Sequence, residues 1–264
     1  MGEERELALV TGASSGIGFE LAKQCAEQGY DLLVNAEDSG LEPAAGRLAG
    51  TGTTVRSVRA DLRSADGVEQ LHGAVRATGR PVAVALLNAG VGQGGSFVDN
   101  ALTDEMDVVD LNIRSTLHLA KLLLPDMVRR GAGKVLISSS VGAMVPGSYQ
   151  AVYNASKSFL QSFAEAVQEE LKDTGVTITS LMPGPTETNF FHRAGMDDTR
   201  IGRSAKDDPA EVAEQGLRAL LAGRGKVVAG SMRTKAQAAA GHVVPDRAKA
   251  VAHRQLAGPG SGER

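Results

Sequence analysis

The chain has no tryptophan, and only three tyrosines and six phenylalanines among its 264 residues. That scarcity removes the stacking platforms on which single-stranded nucleic acids are read. An excess of positive charge is missing too. The net charge is −3 and the pI is near 6.0, so electrostatics give no case for a nucleic-acid partner. There is one cysteine, Cys25, which excludes an internal disulfide; its place in an apolar-periodic segment reads as core packing. No run reaches the roughly 18 apolar residues of a membrane span, so no membrane partner is expected. Met1–Glu6 is charged and followed by only four apolar residues, which does not read as a signal peptide. Gly2 is not followed by the Ser or Thr at position 6 that acylation requires. His72, His118, His192, His242 and His253 show no metal-ligand spacing, so no metal is expected. These absences together describe a soluble cytoplasmic protein.

What the sequence does contain is an alternation. Apolar runs at Leu7–Val10, Asp31–Asn35, Thr54–Val58, Val82–Leu87, Lys134–Ser138, Val176–Met182 and Lys226–Ala229 predict strands. Helical periodicity at Ile17–Gln28, Leu41–Ala49, Ser64–Ala77, Leu102–Arg130, Tyr149–Asp173 and Pro209–Ala222 fills the intervals. Pro125 is expected to bend the longest helix, or Gly131 to end it. Continuous apolar strands between helices predict an α/β fold with a parallel sheet covered on both faces. Right-handed crossovers make it a doubly wound, seven-stranded, Rossmann-like sheet. Residues 1–230 are read as one domain. Within it, Pro183–Asp208 is a long irregular connection of the kind that forms functional lids. Residues 231–264 carry a charge of +4 against −7 for the rest of the chain. They read as a basic, solvated helical extension, disordered after Leu256, with assembly or covering of the site as the alternative role.

Thr11-Gly12-Ala13-Ser14-Ser15-Gly16-Ile17-Gly18 follows the first strand and opens the first helix. Glycines there permit a tight turn and let backbone amides approach a pyrophosphate, while the helix N-terminus offers unpaired N–H groups. Farther on, Tyr153 stands four residues before Lys157, and Ser140 stands thirteen before Tyr153. At helical spacing the lysine shares a face with the tyrosine and can favour its phenolate. A nearby serine hydroxyl can hold a carbonyl or an alcohol. The trio describes a device for moving a proton beside a hydride acceptor.

Taken together, these motifs resemble the short-chain dehydrogenase/reductase superfamily in its compact single-domain branch, over about residues 5–230. The Thr11–Gly18 loop, Asp61, Asn88-Ala89-Gly90, Asn112, Ser140, Tyr153-x-x-x-Lys157 and Pro183-Gly184 occur in the family's order. The resemblance implies reversible hydride transfer between a nicotinamide and a ketone or secondary alcohol. Tyr153 is then the general acid/base. Lys157 lowers its pKa and holds the nicotinamide ribose, Ser140 orients the carbonyl, and Asn112 holds a water in the proton relay. The cofactor-binding set is Gly12, Ser14, Ser15, Gly16, Ile17, Gly18, Glu37, Asp61, Leu62, Asn88, Ala89, Gly90, Tyr153, Lys157, Pro183, Gly184, Thr186 and Thr188. Asp61 would meet the adenine amino group with Leu62 beside it, and Asn88 would brace adjacent strands. Ser139 remains a possible second substrate contact, and Ser138 belongs to the strand end.

The second strand ends Asn35-Ala36-Glu37-Asp38. Two acids there repel a 2′-phosphate, which favours NAD(H) over NADP(H). The substrate pocket is expected to be lined by Val141, Met144, Val145, Tyr149, Phe190 and Phe191, an apolar wall suited to a ketone of modest polarity. Arg193 and Arg200 are the cations nearby for any anionic group. Wide apolar faces on the helices within 102–130 and 149–173, including Met106 and Phe159, predict a homodimer or homotetramer. The alternative function is a catalytically silent dinucleotide-binding sensor, disfavoured because a sensor need not keep Ser140, Tyr153 and Lys157.

Overall fold

The computed structural model describes residues 5–241 and 244–263. The start of the chain as far as Glu4, and with it Gly2, lies outside the described residues, as does His242. Seven parallel strands form one sheet in the order β3-β2-β1-β4-β5-β6-β7. They are β1 (Leu7–Thr11), β2 (Asp31–Ala36), β3 (Val55–Arg59), β4 (Val82–Leu87), β5 (Gly133–Ser138), β6 (Val176–Pro183) and β7 (Lys226–Ala229). The helices between the first six strands are α1 (Gly16–Glu27), α2 (Leu41–Ala49), α3 (Ala65–Arg76), α4 (Leu102–Val108), α5 (Ser115–Arg130) and α6 (Ala151–Leu171). The connection after β6 holds two short helices, α7 (Phe190–Arg193) and α8 (Arg200–Arg203), and then the longer α9 (Pro209–Leu221).

The five inner strands bury both faces, so their side chains alternate between two cores, while the edge strands β3 and β7 are partly exposed. Leu7, Leu9 and Leu33 point to the layer of α3, α5 and α6, where Leu71, Leu119, Leu123 and Leu160 meet them. Ala8, Val10, Leu32 and Val34 point to the layer of α1, α2 and α9, with Leu21, Cys25, Leu41 and Leu217. Cys25 is fully buried there, as its periodicity predicted. Burying a leucine contributes roughly 2 kcal/mol, so these two layers dominate the fold's stability. Because β4 lies on the far side of β1 from β2, the strand order reverses between β1 and β4. Their carboxyl ends diverge into a crevice at that switch point.

The long helix differs from the expectation. Its break is not at Pro125, which sits within an unbroken α5, but upstream, at a π-helical stretch over Val109–Arg114. Gly131 does end α5, in the left-handed conformation (φ 65°) that glycine adopts without strain. The tail differs more. It forms α10 (Met232–Gly241) and α11 (Asp246–Ala257), and between Ala257 and Glu263 the described residues are packed against the rest of the chain. The Gly260 and Gly262 amides donate to Asp198, and Arg200 donates from its backbone and its guanidinium to Ser261. No helix among the described residues is long and apolar enough to cross a membrane.

Candidate active site

The crevice opens into a cavity of about 590 Å³ at the carboxyl ends of the strands. One end is built by the loop between β1 and α1. Gly12 and Gly16 take positive φ (67° and 58°), and a Cβ on Gly18 would stand 2.1 Å from the Gly12 carbonyl oxygen. Only glycine permits that approach. Ser15 precedes α1 in extended conformation, and its side chain makes no capping bond among the described residues. The first-turn amides of α1 are therefore left facing the cavity, the arrangement that receives a phosphate. Thr188, from the β6 connection, hangs over this loop; a Cβ on Gly16 would meet its Cγ2 at 2.8 Å. The cradle fits a dinucleotide pyrophosphate.

Ser14, Ser15, Ile17, Glu37, Asp61, Leu62, Ala89, Gly90, Pro183, Gly184 and Thr186 all line the same cavity. Asn88 braces it as expected. Its backbone N–H donates to Thr11 Oγ1 at 3.0 Å, and its Oδ1 accepts from Ser138 Oγ at 3.0 Å, tying β1, β4 and β5 together. Neither acid after β2 points freely outward. Ser14 Oγ donates to Asp38 at 2.8 Å, which fixes a carboxylate against the glycine loop. Glu37 pairs with Arg63, which also bridges Asp61 and Asp107. Arg63 escaped the sequence reading because nothing in the local pattern reveals a partner 26 residues away.

The three serines after β5 separate cleanly. Ser138 is bonded to Asn88, and Ser139 donates to the Lys157 carbonyl at 3.0 Å. Ser140 is the one beside the Tyr153 hydroxyl; its Oγ accepts from the Gly142 amide at 3.0 Å and donates to the Pro183 carbonyl at 3.5 Å. Burial pushes Tyr153 up to about 12, and the neighbouring Ser140 hydroxyl opposes that shift. Lys157 donates to the Ser138 carbonyl at 2.8 Å, with its ammonium 5.8 Å from the Tyr153 ring centre. Burial lowers Lys157 to about 8. This corrects the expected lowering of Tyr153 by Lys157. Within the protein alone, desolvation dominates both groups, and the lysine is aimed at a backbone carbonyl rather than at the phenol.

Asn112 is fully buried. Its amide donates to the Val91 carbonyl and to Ser156 Oγ, and its Oδ1 accepts from the Val91 amide. The side chain is thus a brace for the loop after β4. One further expectation is corrected: Tyr149 is not a wall of the cavity. It precedes α6 with φ 65°, and its ring faces Arg254 of α11 at 6.0 Å. The ring lies away from the cleft, in an outer hollow that it shares with Arg200. Val141, Met144, Val145, Phe190 and Phe191 do line the cavity, as does Arg193. The Phe190 ring lies tilted against Tyr153, with centroids 5.1 Å apart, and covers Gly92, where a Cβ would meet its ring at 2.4 Å.

The sequence reading kept covering of the site only as the tail's alternative role and named none of its residues. Gln237, Ala238, Val244, Ala248, Ala252, His253 and Leu256 close the substrate side of the cavity. No motif marks them, and only the folding back of α10 and α11 brings them there. Among the described residues no cluster of potential metal ligands exists.

Comparison with known proteins agrees with this geometry. Residues 6–198 match the family model for short chain dehydrogenase. A putative ketoacyl reductase from Streptomyces coelicolor is 35% identical over 191 residues, 70% of this chain and 72% of that protein. A short-chain dehydrogenase from Sphingobium yanoikuyae, solved with NADPH, superposes with a TM-score of 0.79 at 27% identity, covering 84% of this chain and 87% of that one. The bulky-bulky ketone specific alcohol dehydrogenase from Comamonas testosteroni superposes with a TM-score of 0.74 at 25% identity, covering 84% and 85%.

Proposed function

Since this chain belongs to the short-chain dehydrogenase/reductase superfamily and is thereby an NAD(P)-dependent dehydrogenase/reductase, we propose that it interconverts an apolar ketone and its secondary alcohol, with Tyr153 as the acid/base. The observation that carries this reading is the meeting of Ser140, Tyr153 and Lys157 in one cavity whose other end is a glycine-built phosphate cradle. The bound nicotinamide supplies or accepts the hydride. The chain's own residues do the rest. Ser140 donates to the substrate oxygen and orients it. Tyr153, protonated across the neutral range because burial favours the neutral phenol, gives its hydroxyl proton to that oxygen in reduction and takes it back in oxidation. Lys157, held by the Ser138 carbonyl beneath Gly90, is placed to bind the ribose hydroxyls. Asn112 acts through position, holding Val91 and Ser156 on either side of that lysine. Phe190 covers Tyr153 and keeps water from the reacting atoms.

The cofactor proposed is NAD(H). Asp38 is locked onto Ser14 of the glycine loop, which places a carboxylate where a 2′-phosphate would need a cation. The substrate is proposed to be a ketone because the wall at Val141, Met144, Val145, Phe190 and Phe191 is apolar. A panel of ketones and secondary alcohols, read at the nicotinamide absorbance, tests the reaction. Tyr153→Phe is expected to lower turnover by roughly 10³-fold or more while leaving NADH binding within a few-fold. Near-normal turnover in that variant would remove Tyr153 from the chemistry. Fluorescence titration with NADH and NADPH tests the cofactor, with tighter NADPH binding as the contrary result.

A further inference from the structure

The tail is gripped on both sides of the substrate cavity. On one side, α11 holds the loop that leads from Ser140 to Tyr153. Lys249 donates to the Met144 carbonyl at 2.8 Å and to the Gly241 carbonyl at 3.1 Å, and Ser148 Oγ donates to the Ala250 carbonyl at 2.9 Å. On the other side, the closing residues hold the connection after β6. There the Gly262 amide donates to the Asp198 carbonyl at 2.9 Å, and Arg203 donates to the Gly262 carbonyl at 3.2 Å. The face of α11 turned to the cavity consists of Ala248, Ala252 and Leu256, with His253 among them.

His253 is 9% exposed, and its Nδ1 lies 2.9 Å from the Ser148 carbonyl oxygen. A carbonyl oxygen only accepts, so Nδ1 carries the proton. Burial holds the imidazole below its ordinary value, so the ring is neutral at pH 7 and Nε2 is left with a free lone pair. Nε2 bonds to no described residue. Lys249, by contrast, has its ammonium engaged by two carbonyls and by Asp246. With Nδ1 engaged and the residue lining the cavity, Nε2 is the nitrogen left to accept from a donor that enters there.

We propose that His253 is a specificity-determining residue of the substrate site, whose Nε2 accepts a hydrogen bond from a hydroxyl carried by the substrate away from its reacting carbonyl. The inference rests on the ketone/alcohol reading above and narrows it to hydroxylated, otherwise apolar ketones. The tail thereby contributes recognition as well as cover.

The test pairs a change in the substrate with a change in the enzyme. Benzylacetone and its para-hydroxy derivative carry the same methyl ketone and differ in one distal hydroxyl. Both are measured with the full chain as substrates, or as competitive inhibitors where turnover is slow. The wild type is expected to favour the hydroxylated ketone by roughly three- to ten-fold in kcat/KM, the effect of one hydrogen bond. His253→Asn keeps a donor where Nδ1 stands and removes Nε2. It should abolish that preference, lowering kcat/KM for the hydroxylated ketone by roughly three- to ten-fold more than for benzylacetone. His253→Gln, which returns a polar group near the Nε2 position, should restore part of the preference. An equal loss on both ketones would mean a structural histidine and overturn the proposal. A wild type without preference, or a preference that survives in His253→Asn, would do the same. Failure of the wild type to oxidise NADH or NADPH with any ketone of the panel is a different result, and it removes the ketone reading itself.

Discussion

At the scale of single residues, the Tyr153 and Lys157 pair shows how burial can outweigh a neighbouring charge. Lys157 is lowered from 10.5 to about 8 because the protein desolvates it. Between those values the unfolded chain keeps the proton and the folded chain has released it, so this group's contribution to stability rises as pH climbs from about 8 toward 10.5. Below pH 8 the buried charge is a constant cost. Lys157→Met is therefore expected to be more stable than the wild type at pH 7, by up to about 3 kcal/mol at about 1.4 kcal/mol per pK unit. That advantage should shrink as pH rises past 8, while turnover is lost. Denaturant unfolding of both proteins at several pH values measures it. A difference that does not vary with pH would mean that Lys157 is not desolvated. Tyr153 has the opposite sense: its protonated form is favoured, so alcohol oxidation should accelerate with rising pH whereas ketone reduction should not. Steady-state rates in both directions across about pH 6–10 decide this. Ser140 was chosen among three serines by the spacing of the family that the chain resembles, and it is the one beside the Tyr153 hydroxyl.

At the scale of elements, the glycine loop and the π-helical stretch do the positioning. The glycine loop was readable, since a strand, a glycine run and a helix start follow one another within a few residues. Gly18→Ala is expected to abolish NADH binding or to prevent folding, because the added Cβ would stand 2.1 Å from a backbone oxygen. Titration together with circular dichroism separates the two. The π stretch over Val109–Arg114 was not readable. Its residues keep an ordinary helical pattern, and only the need to bring Asn112 against Val91 and Ser156 shows why the helix widens there. Asn112→Leu leaves the Val91 amide and carbonyl without their side-chain partner. It is expected to destabilise the fold by about 2–4 kcal/mol, read as a lower Tm, with kcat reduced through displacement of Lys157. The tail helices carried the least local information, because amphipathic helices of small residues look alike wherever they pack.

At the scale of the whole molecule, the reversal of strand order between β1 and β4 makes the cleft, and the tail closes it. Phe97, Val98, Leu102 and Met106, together with Phe159 of α6, remain exposed and apolar, Val98 to 86%. We propose that this surface joins copies of the chain, and light scattering should give two or four times 27.3 kDa. Phe159→Asp and Met106→Asp together should shift the mass toward the monomer, and an unchanged monomeric wild type would contradict the surface's role.

Local pattern was enough for the sheet, the phosphate cradle and the order of Ser140, Tyr153 and Lys157. Those features rest on periodicity and short spacings, which the backbone turns directly into strands, helices and faces. The remainder came from packing in three dimensions. It tied Glu37 to Arg63, turned Tyr149 out of the cleft, used Asn112 as a brace, and brought His253 to the cavity from far along the chain. Each of these depends on which distant group fills a neighbouring space, and contact between remote segments leaves no periodic trace in the chain.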